Sequence, residues 1–351
     1  MADRSATSPR QRTGDKRHSG TGDDTAMPTV SVCMPVSRDA TVVRRALSTV
    51  LSQDFDDFEV LIGDETGSAG PVVAELGDPR VQYQRNAQRL GFTKNHGALL
   101  DRAAGRYMAV LHDDDWWEPS YLSSLVAVLE TDPEVGMACC GTVLDDDHGH
   151  TTPWPVPLGA GRHDNVVDVL LREDWFLLPI STMWRREVWT GPARQWPELC
   201  CADLQLFLSA ADAGWALYLL PDPLSHWVQH RGQSGAWRGS DNGLGVADDV
   251  LAFWGGWLQG RPDDEAALAN RQRARWHLRR ARALLLAGRA HEARAAIGEA
   301  KALRRASALA RTELPGLGRL SVASHLPSIA VRTGVGLKRS VTDAQERRRS
   351  R

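Results

Sequence analysis

Between Val30 and Leu144 the chain alternates short apolar runs with amphipathic segments, and few folds accept that pattern. VSVCMPV, FEVLIGD, VQYQR, RYMAVLHDDD and VGMACCGTVL read as five strands, the first a short β-branched run of the kind that suits a buried strand. Between them, Ala40–Gln53 places Val43, Leu47, Val50 and Leu51 at helical spacing. FTKNHGALLDRAAG is a helix stopped at Gly105, and PSYLSSLVAVLE a helix opened by Pro119. Strand and helix in alternation predict a mostly parallel α/β sheet flanked by helices. Such sheets bind ligands beyond the carboxyl ends of their strands. The residues there are Pro35–Arg38, Asp64–Glu65 and His112–Asp115.

Residues 1–27 are polar and lack an apolar leader run, which predicts a disordered tail. Residues 28–245 read as the main domain, with 28–145 its nucleotide-binding half and 146–245 its acceptor half. In the second half, ISTMWRREV is a strand entering a helix, ADLQLFLSAADAG a helix, WALYLLP a strand and DPLSHWVQHRGQSG a loop. Residues 246–310 turn rich in Ala, Leu and Arg with helical period, a helical-hairpin extension that offers a surface to a second copy or a protein partner. Residues 311–351 read as a flexible tail. Lys plus Arg total 42 against 44 Asp plus Glu, a net charge of −2 that gives no reason to expect nucleic acid. No segment is long and apolar enough to span a bilayer, so the expected setting is the cytoplasm, peripheral at most to the inner membrane face. The five cysteines show no CxxC spacing and predict free thiols rather than disulfides or zinc.

The chemistry concentrates in LHDDDWWEP, Leu111–Pro119. Three carboxylates closing an apolar strand repel one another unless a cation sits among them. Mg²⁺ or Mn²⁺ is the natural occupant, since such ions take one or two carboxylates and complete their shell with phosphate oxygens. An acidic cap on the following helix is the competing structural explanation. Asp64 and Glu65 end another strand beside a Gly/Ser-rich loop, where carboxylates accept hydrogen bonds from a base or ribose. His226 and His230 are spaced i, i+4, but the preceding Pro221 and Pro223 argue for a loop rather than a helical zinc site.

Taken together, the Pro-ended first strand, LSQDFDDFEVLIGDETGS, GFTKNHGALLDRAAGRYMAVLHDDDWWEP and STMWRREVW resemble glycosyltransferase family 2 over roughly residues 29–235. The resemblance implies a GT-A type, Rossmann-like fold with the helical extension appended. It implies a nucleotide-sugar donor bordered by Pro35, Val36 and Ser37 and read by Asp64 and Glu65, with Lys94 and Asp113 on the nucleotide. Asp114 falls on the principal metal position, flanked by Asp115, and His230 in HRGQSG on a loop that closes over diphosphate. Asp203 in ELCCADLQLFL falls on the catalytic base. Glu65, His112 and Ala202 each stand where the family usually has Asp or Glu. Among thirteen tryptophans, Trp117 and Trp237 are the candidates for acceptor stacking by position.

The implied reaction is a single inverting displacement. The diphosphate leaves with its charge neutralised by the metal, while a carboxylate takes the proton of the attacking hydroxyl. The acceptor stays open among a glycan, a lipid-linked glycan and a small molecule. No G-x-G-x-x-G or G-x-x-x-x-G-K-[ST] follows the first strand, which excludes dinucleotide-dehydrogenase and P-loop readings. A non-catalytic nucleotide-sugar-binding or partner-recruiting protein is the rival that the three departures leave standing.

Overall fold

A computed structural model describes residues 27–146, 148–173, 176–191, 199–229 and 240–306. Its centre is a ten-stranded mixed sheet: β1 (Val30–Val36), β2 (Phe58–Asp64), β3 (Val81–Arg85), β4 (Tyr107–Val110), β5 (Trp116–Trp117), β6 (Val135–Asp146), β7 (Thr151–Pro153), β8 (Gly161–His163), β9 (Thr182–Arg185) and β10 (Ala216–Gln229). The order is β3-β2-β1-β4-β9-β6-β10-β5, with β7 on β6 and β8 on β10. The helices are α1 (Ala40–Leu51), α2 (Ala69–Leu76), α3 (Phe92–Arg102), α4 (Tyr121–Thr131), α5 (Val166–Arg172), α6 (Arg186–Thr190), α7 (Ala202–Asp212), α8 (Ser240–Trp257), α9 (Asp263–Leu286) and α10 (Ala290–Ala306).

The strands β1, β2, β3 and β4 are parallel neighbours, as the alternation predicted; β9 enters antiparallel between β4 and β6. The period-2 direction of strand side chains splits the core in two. Val30, Val32, Met34 and Val36 join Val60, Ile62 and Ala109 on one face, while Cys33, Leu61, Met108 and Val110 enter the cluster on the other. Both faces being covered explains why β1 and β2 are apolar almost without interruption. Val36 pairs with Asp64, and Cys33 with Val110, so three strands expire at the same edge and deliver their next residues to one place.

DPLSHWVQ is strand, not the loop its prolines suggested. β10 runs on to Gln229 beside β6, and Pro221 and Pro223 sit where the register slips. Bulged positions tolerate a residue that cannot donate to the ladder.

The expected boundary at 245/246 does not separate two cores. Ala247, Val250, Phe253 and Trp254 of α8 and Leu268, Ala269 and Trp276 of α9 belong to the cluster that holds Leu171, Leu177 and Phe207. Gln272, 2% exposed, donates to the backbone carbonyls of Leu171 and Glu173. Only the far part of α9 and α10 form a cluster of their own, around Ala281, Leu284, Ala293 and Ile297. Among the described residues no helix is long and apolar enough to cross a membrane.

Candidate active site

The shared strand edge opens into a cleft of about 830 Å³. Pro35 and Val36 line it from the end of β1, Ser37 and Arg38 from the β1–α1 loop, Glu65 from the end of β2, His112–Asp115 from the end of β4, and Asp203 from the first turn of α7. Residues as far apart in sequence as Pro35 and Asp203 are thus brought to one cavity.

Asp113 builds the loop opposite it. Its Oδ2 accepts from the backbone N–H of Ser37 at 2.6 Å and of Arg38 at 2.7 Å. Asp39 next door caps α1, accepting from Thr41 and Val42. Asp115, 1% exposed, ties β4 to β10 by accepting from Val228 N–H at 2.9 Å, and its other oxygen meets His112 Nδ1 at 3.1 Å. Asp114 lies 3.4 Å from the Arg38 guanidinium. Burial pushes Asp113 up, and pushes Asp115 up to about 6 with help from the Asp114 charge. Burial opposes a charge on His112 as well, but the hydrogen bond to Asp115 and the surrounding carboxylates leave its pKa above the ordinary value. The cluster is therefore short of positive charge.

A divalent ion suits that deficit, and Asp114 is the carboxylate best placed to hold one, its two neighbours being spent on loop and strand contacts. Among the described residues no three His, Cys, Asp or Glu side chains converge as a ready-made metal cage.

Glu65 and Asp64 part company. Asp64 is fully buried and does not line the cleft. Its Oδ1 accepts from Thr66 N–H, Gly67 N–H and the Thr66 hydroxyl, and its Oδ2 from Ala69 N–H and Tyr83 O–H. Burial would raise its pKa, but these bonds hold it below the usual carboxylate range. Asp64 organises the turn into α2, with both carboxylate oxygens engaged there and its side chain away from the cleft where a nucleotide contact was expected. Asp64→Asn is expected to cost about 2 kcal/mol, because an amide turns N–H₂ toward donors at one of the two oxygens. Urea unfolding of the variant checks it.

Glu65 does line the cleft, yet its carboxylate accepts from Leu90 N–H at 2.8 Å and Gly91 N–H at 3.2 Å. It joins the β2–α2 loop to the start of α3. The longer side chain found in place of Asp reaches this far. Above it Asn95 donates to the Gly63 carbonyl at 2.8 Å, an approach open only because residue 63 has no Cβ; one built there would stand 2.4 Å from Asn95 Oδ1. Lys94 is exposed on α3 and is not among the residues lining the cleft.

Trp117 is a core residue rather than an acceptor platform. It is 2% exposed, stacks on Tyr121 at 3.9 Å and donates its indole N–H to Ile180 O. The strand pairing of β5 with β10 turns it inward, and the half-buried Trp116 on the opposite face stacks on His226. The cleft is lined instead by Trp154 and Trp227, edge to face at 5.4 Å. His226 lies on β10 between Asp145 and Glu118, which removes the helical spacing from the His226/His230 pair. His230 and Trp237 lie outside the described residues. All five cysteines are free.

Sequence reading also missed His96, Trp276 and Arg279, all on the cleft wall. The last two come from α9, three positions apart on a helix read as peripheral. His96 donates from Nδ1 to Phe92 O at 2.7 Å and packs against His112 at 5.3 Å. Burial, and the neighbouring His112, lower its pKa to about 3. A histidine neutral when folded gains its proton on unfolding below its ordinary pKa. Its contribution is intact above pH 6.5 and lost as pH falls toward 3. About 2 kcal/mol of stability is expected to disappear from this group between pH 7 and pH 5. His96→Gln should remove that increment from the pH dependence of urea unfolding.

Residues 31–188 match the family model described as Glycosyl transferase family 2. Among curated proteins, the Uncharacterized protein MT1568 of Mycobacterium tuberculosis is 29% identical over 177 residues, 46% of this chain and 55% of that one. The GalNAc(5)-diNAcBac-PP-undecaprenol beta-1,3-glucosyltransferase of Campylobacter jejuni is 33% identical over 107 residues, 28% of this chain and 34% of that one. The chain thus spans about half, or less, of the length of these curated relatives. The S. aureus TarS 1–349 structure in complex with UDP-GlcNAc superposes with a TM-score of 0.60 at 15% identity, covering 88% of this chain and 92% of that one. The mannosyltransferase PcManGT from Pyrobaculum calidifontis, in complex with GDP-Man and Mn²⁺, gives 0.53 at 19%, covering 89% and 88%. Both likenesses are of fold.

Proposed function

Residues 31–188 belong to glycosyl transferase family 2, and from that premise we propose that this enzyme transfers a sugar from a nucleoside-diphosphate donor of the UDP or dTDP type to a hydroxyl of a lipid-linked glycan, with inversion. The carrying observation is that the acidic run of β4 and Asp203 of α7 line one cleft with the loop that ends β1. The nucleotide sits against Pro35, Val36 and Ser37, on a loop fixed by Asp113. Mn²⁺ or Mg²⁺, when bound at Asp114, supplies positive charge to the departing diphosphate. Asp203 takes the acceptor proton. Trp154 and Trp227 hold the sugar by their faces. α9 completes the acceptor side with Trp276 and Arg279, so residues 246–306 act with residues 28–245 as one catalytic body. The Campylobacter relative's printed activity supports a lipid-linked acceptor, and an enzyme using one would work at the cytoplasmic membrane face.

Calorimetry with UDP, dTDP and GDP, with and without Mn²⁺, tests the core of this reading. At least one nucleotide is expected to bind about tenfold or more tightly with the metal, as a phosphate-bridging ion requires. A panel in which Mn²⁺ and Mg²⁺ leave every affinity unchanged would end it.

A further inference from the structure

The chain's net charge of −2 hides a sharp division: from Arg271 to Arg305 eleven arginines and lysines face two glutamates. At 3.6 residues per turn, Arg271, Arg275, Arg279 and Arg282 fall on one stripe of α9, and Arg294, Lys301 and Arg305 on one stripe of α10. The helices pack antiparallel through Ala281, Leu285, Ala293 and Ile297. For right-handed helices paired through those positions, the two stripes lie on the same side of the hairpin.

The acids lie on the other side. Glu299 and Asp248 act on His277 there, Arg280 binds Asp248 at 2.5 Å, and Arg289 binds Glu292 at 2.6 Å. The two glutamates and Asp248 thus lie on one side of the hairpin, and the arginine and lysine stripes on the other. Arg282, Arg294, Lys301 and Arg305 are exposed on the basic side, and Arg279 on the same stripe lines the cleft. The basic surface therefore runs to the wall of the site.

We propose that this face docks the enzyme on an anionic lipid surface, presenting the acceptor side of the cleft to the bilayer. The proposal rests on the reading of the acceptor as lipid-linked. Clustered basic side chains within a Debye length of anionic headgroups are attracted in proportion to their number. Among the described residues, α9 and α10 expose no large apolar or aromatic side chain. Adsorption without insertion follows, and so does steep salt dependence. The same lack of exposed rings removes the stacking platform that a single-stranded nucleic acid uses.

Flotation of the full chain with phosphatidylcholine vesicles, with or without phosphatidylglycerol, tests it without donor or acceptor. Wild type is expected to partition about tenfold or more in favour of the anionic vesicles at low salt, and to lose that preference at high salt. The combined variant Arg282→Glu, Arg294→Glu, Lys301→Glu and Arg305→Glu should float no better on anionic than on neutral vesicles while its donor hydrolysis is unchanged. The same four positions changed to Gln give an intermediate result and serve where reversal disturbs folding, checked by thermal unfolding. Equal partition of wild type on both vesicles, or wild-type flotation of the folded variants, overturns the proposal. Tighter retention by a DNA duplex than by the anionic vesicles at equal ionic strength also overturns it. Wild type that hydrolyses donor but shows no preference for anionic vesicles speaks against docking alone, whereas wild type without donor hydrolysis speaks against the transferase reading.

Discussion

Asp203→Asn is expected to slow sugar transfer by about 10³-fold, within the range that removal of a general base produces. Asn keeps the size of the side chain and still offers an oxygen to Leu204 N–H, which Asp203 Oδ1 accepts at 2.9 Å. Loss of a negative charge in the first turn of α7 removes a favourable dipole interaction, so a stability change under about 1 kcal/mol is expected alongside. The two consequences separate the roles open to this residue. A base leaves nucleotide affinity as in wild type and slows turnover at saturating donor and acceptor. A helix-capping residue lowers the melting temperature and leaves the turnover of folded protein near normal. Turnover within a factor of about five of wild type would remove Asp203 from the mechanism.

The second large effect belongs to Asp114→Asn. The variant keeps the contour of the β4 edge but gives up the charge that pairs with Arg38 and, in the proposed mechanism, with the divalent ion. Metal assistance to a diphosphate leaving group is worth several kcal/mol, so kcat/KM is expected to fall by about 10³-fold. The Mn²⁺ enhancement of nucleotide affinity should shrink in parallel, and excess Mn²⁺ should recover part of it. Wild-type metal dependence in the variant would move the ion elsewhere in the site. Asp113→Asn would not make the same distinction, since Asp113 fixes the β1–α1 loop through Ser37 and Arg38 and its loss disturbs the nucleotide wall directly.

Much of this could be read from residues in a row. β1, β2, β4 and β6 were legible because burial on both faces demands an apolar run, and turns at their ends mark the edge where ligands gather. The gathering of Asp113–Asp115 with Asp203 was legible only through resemblance, since nothing local links β4 to α7. Other roles depended on where a side chain turns. Asp64 and Glu65 look equivalent on the page. One is consumed by the turn into α2; the other crosses to the α3 cap while lining the cleft. Trp116 and Trp117 are adjacent, and strand alternation sends them to opposite fates. The second half of β10 was hidden by two prolines that a bulge accommodates. Trp276 and Arg279 stood three apart in an arginine-rich helix, but their place on the cleft wall follows from α9 docking on α5 through Gln272.

That docking shapes how such a protein can change. The side chains that would meet the acceptor come from stretches more than a hundred residues apart, and they share one set of apolar contacts. A chimera spliced at the junction between body and helices would carry half of two incompatible interiors. New substrate preference would be acquired more readily by exchanging everything after β6 as a block, or by point changes at the few α9 positions that reach the cavity.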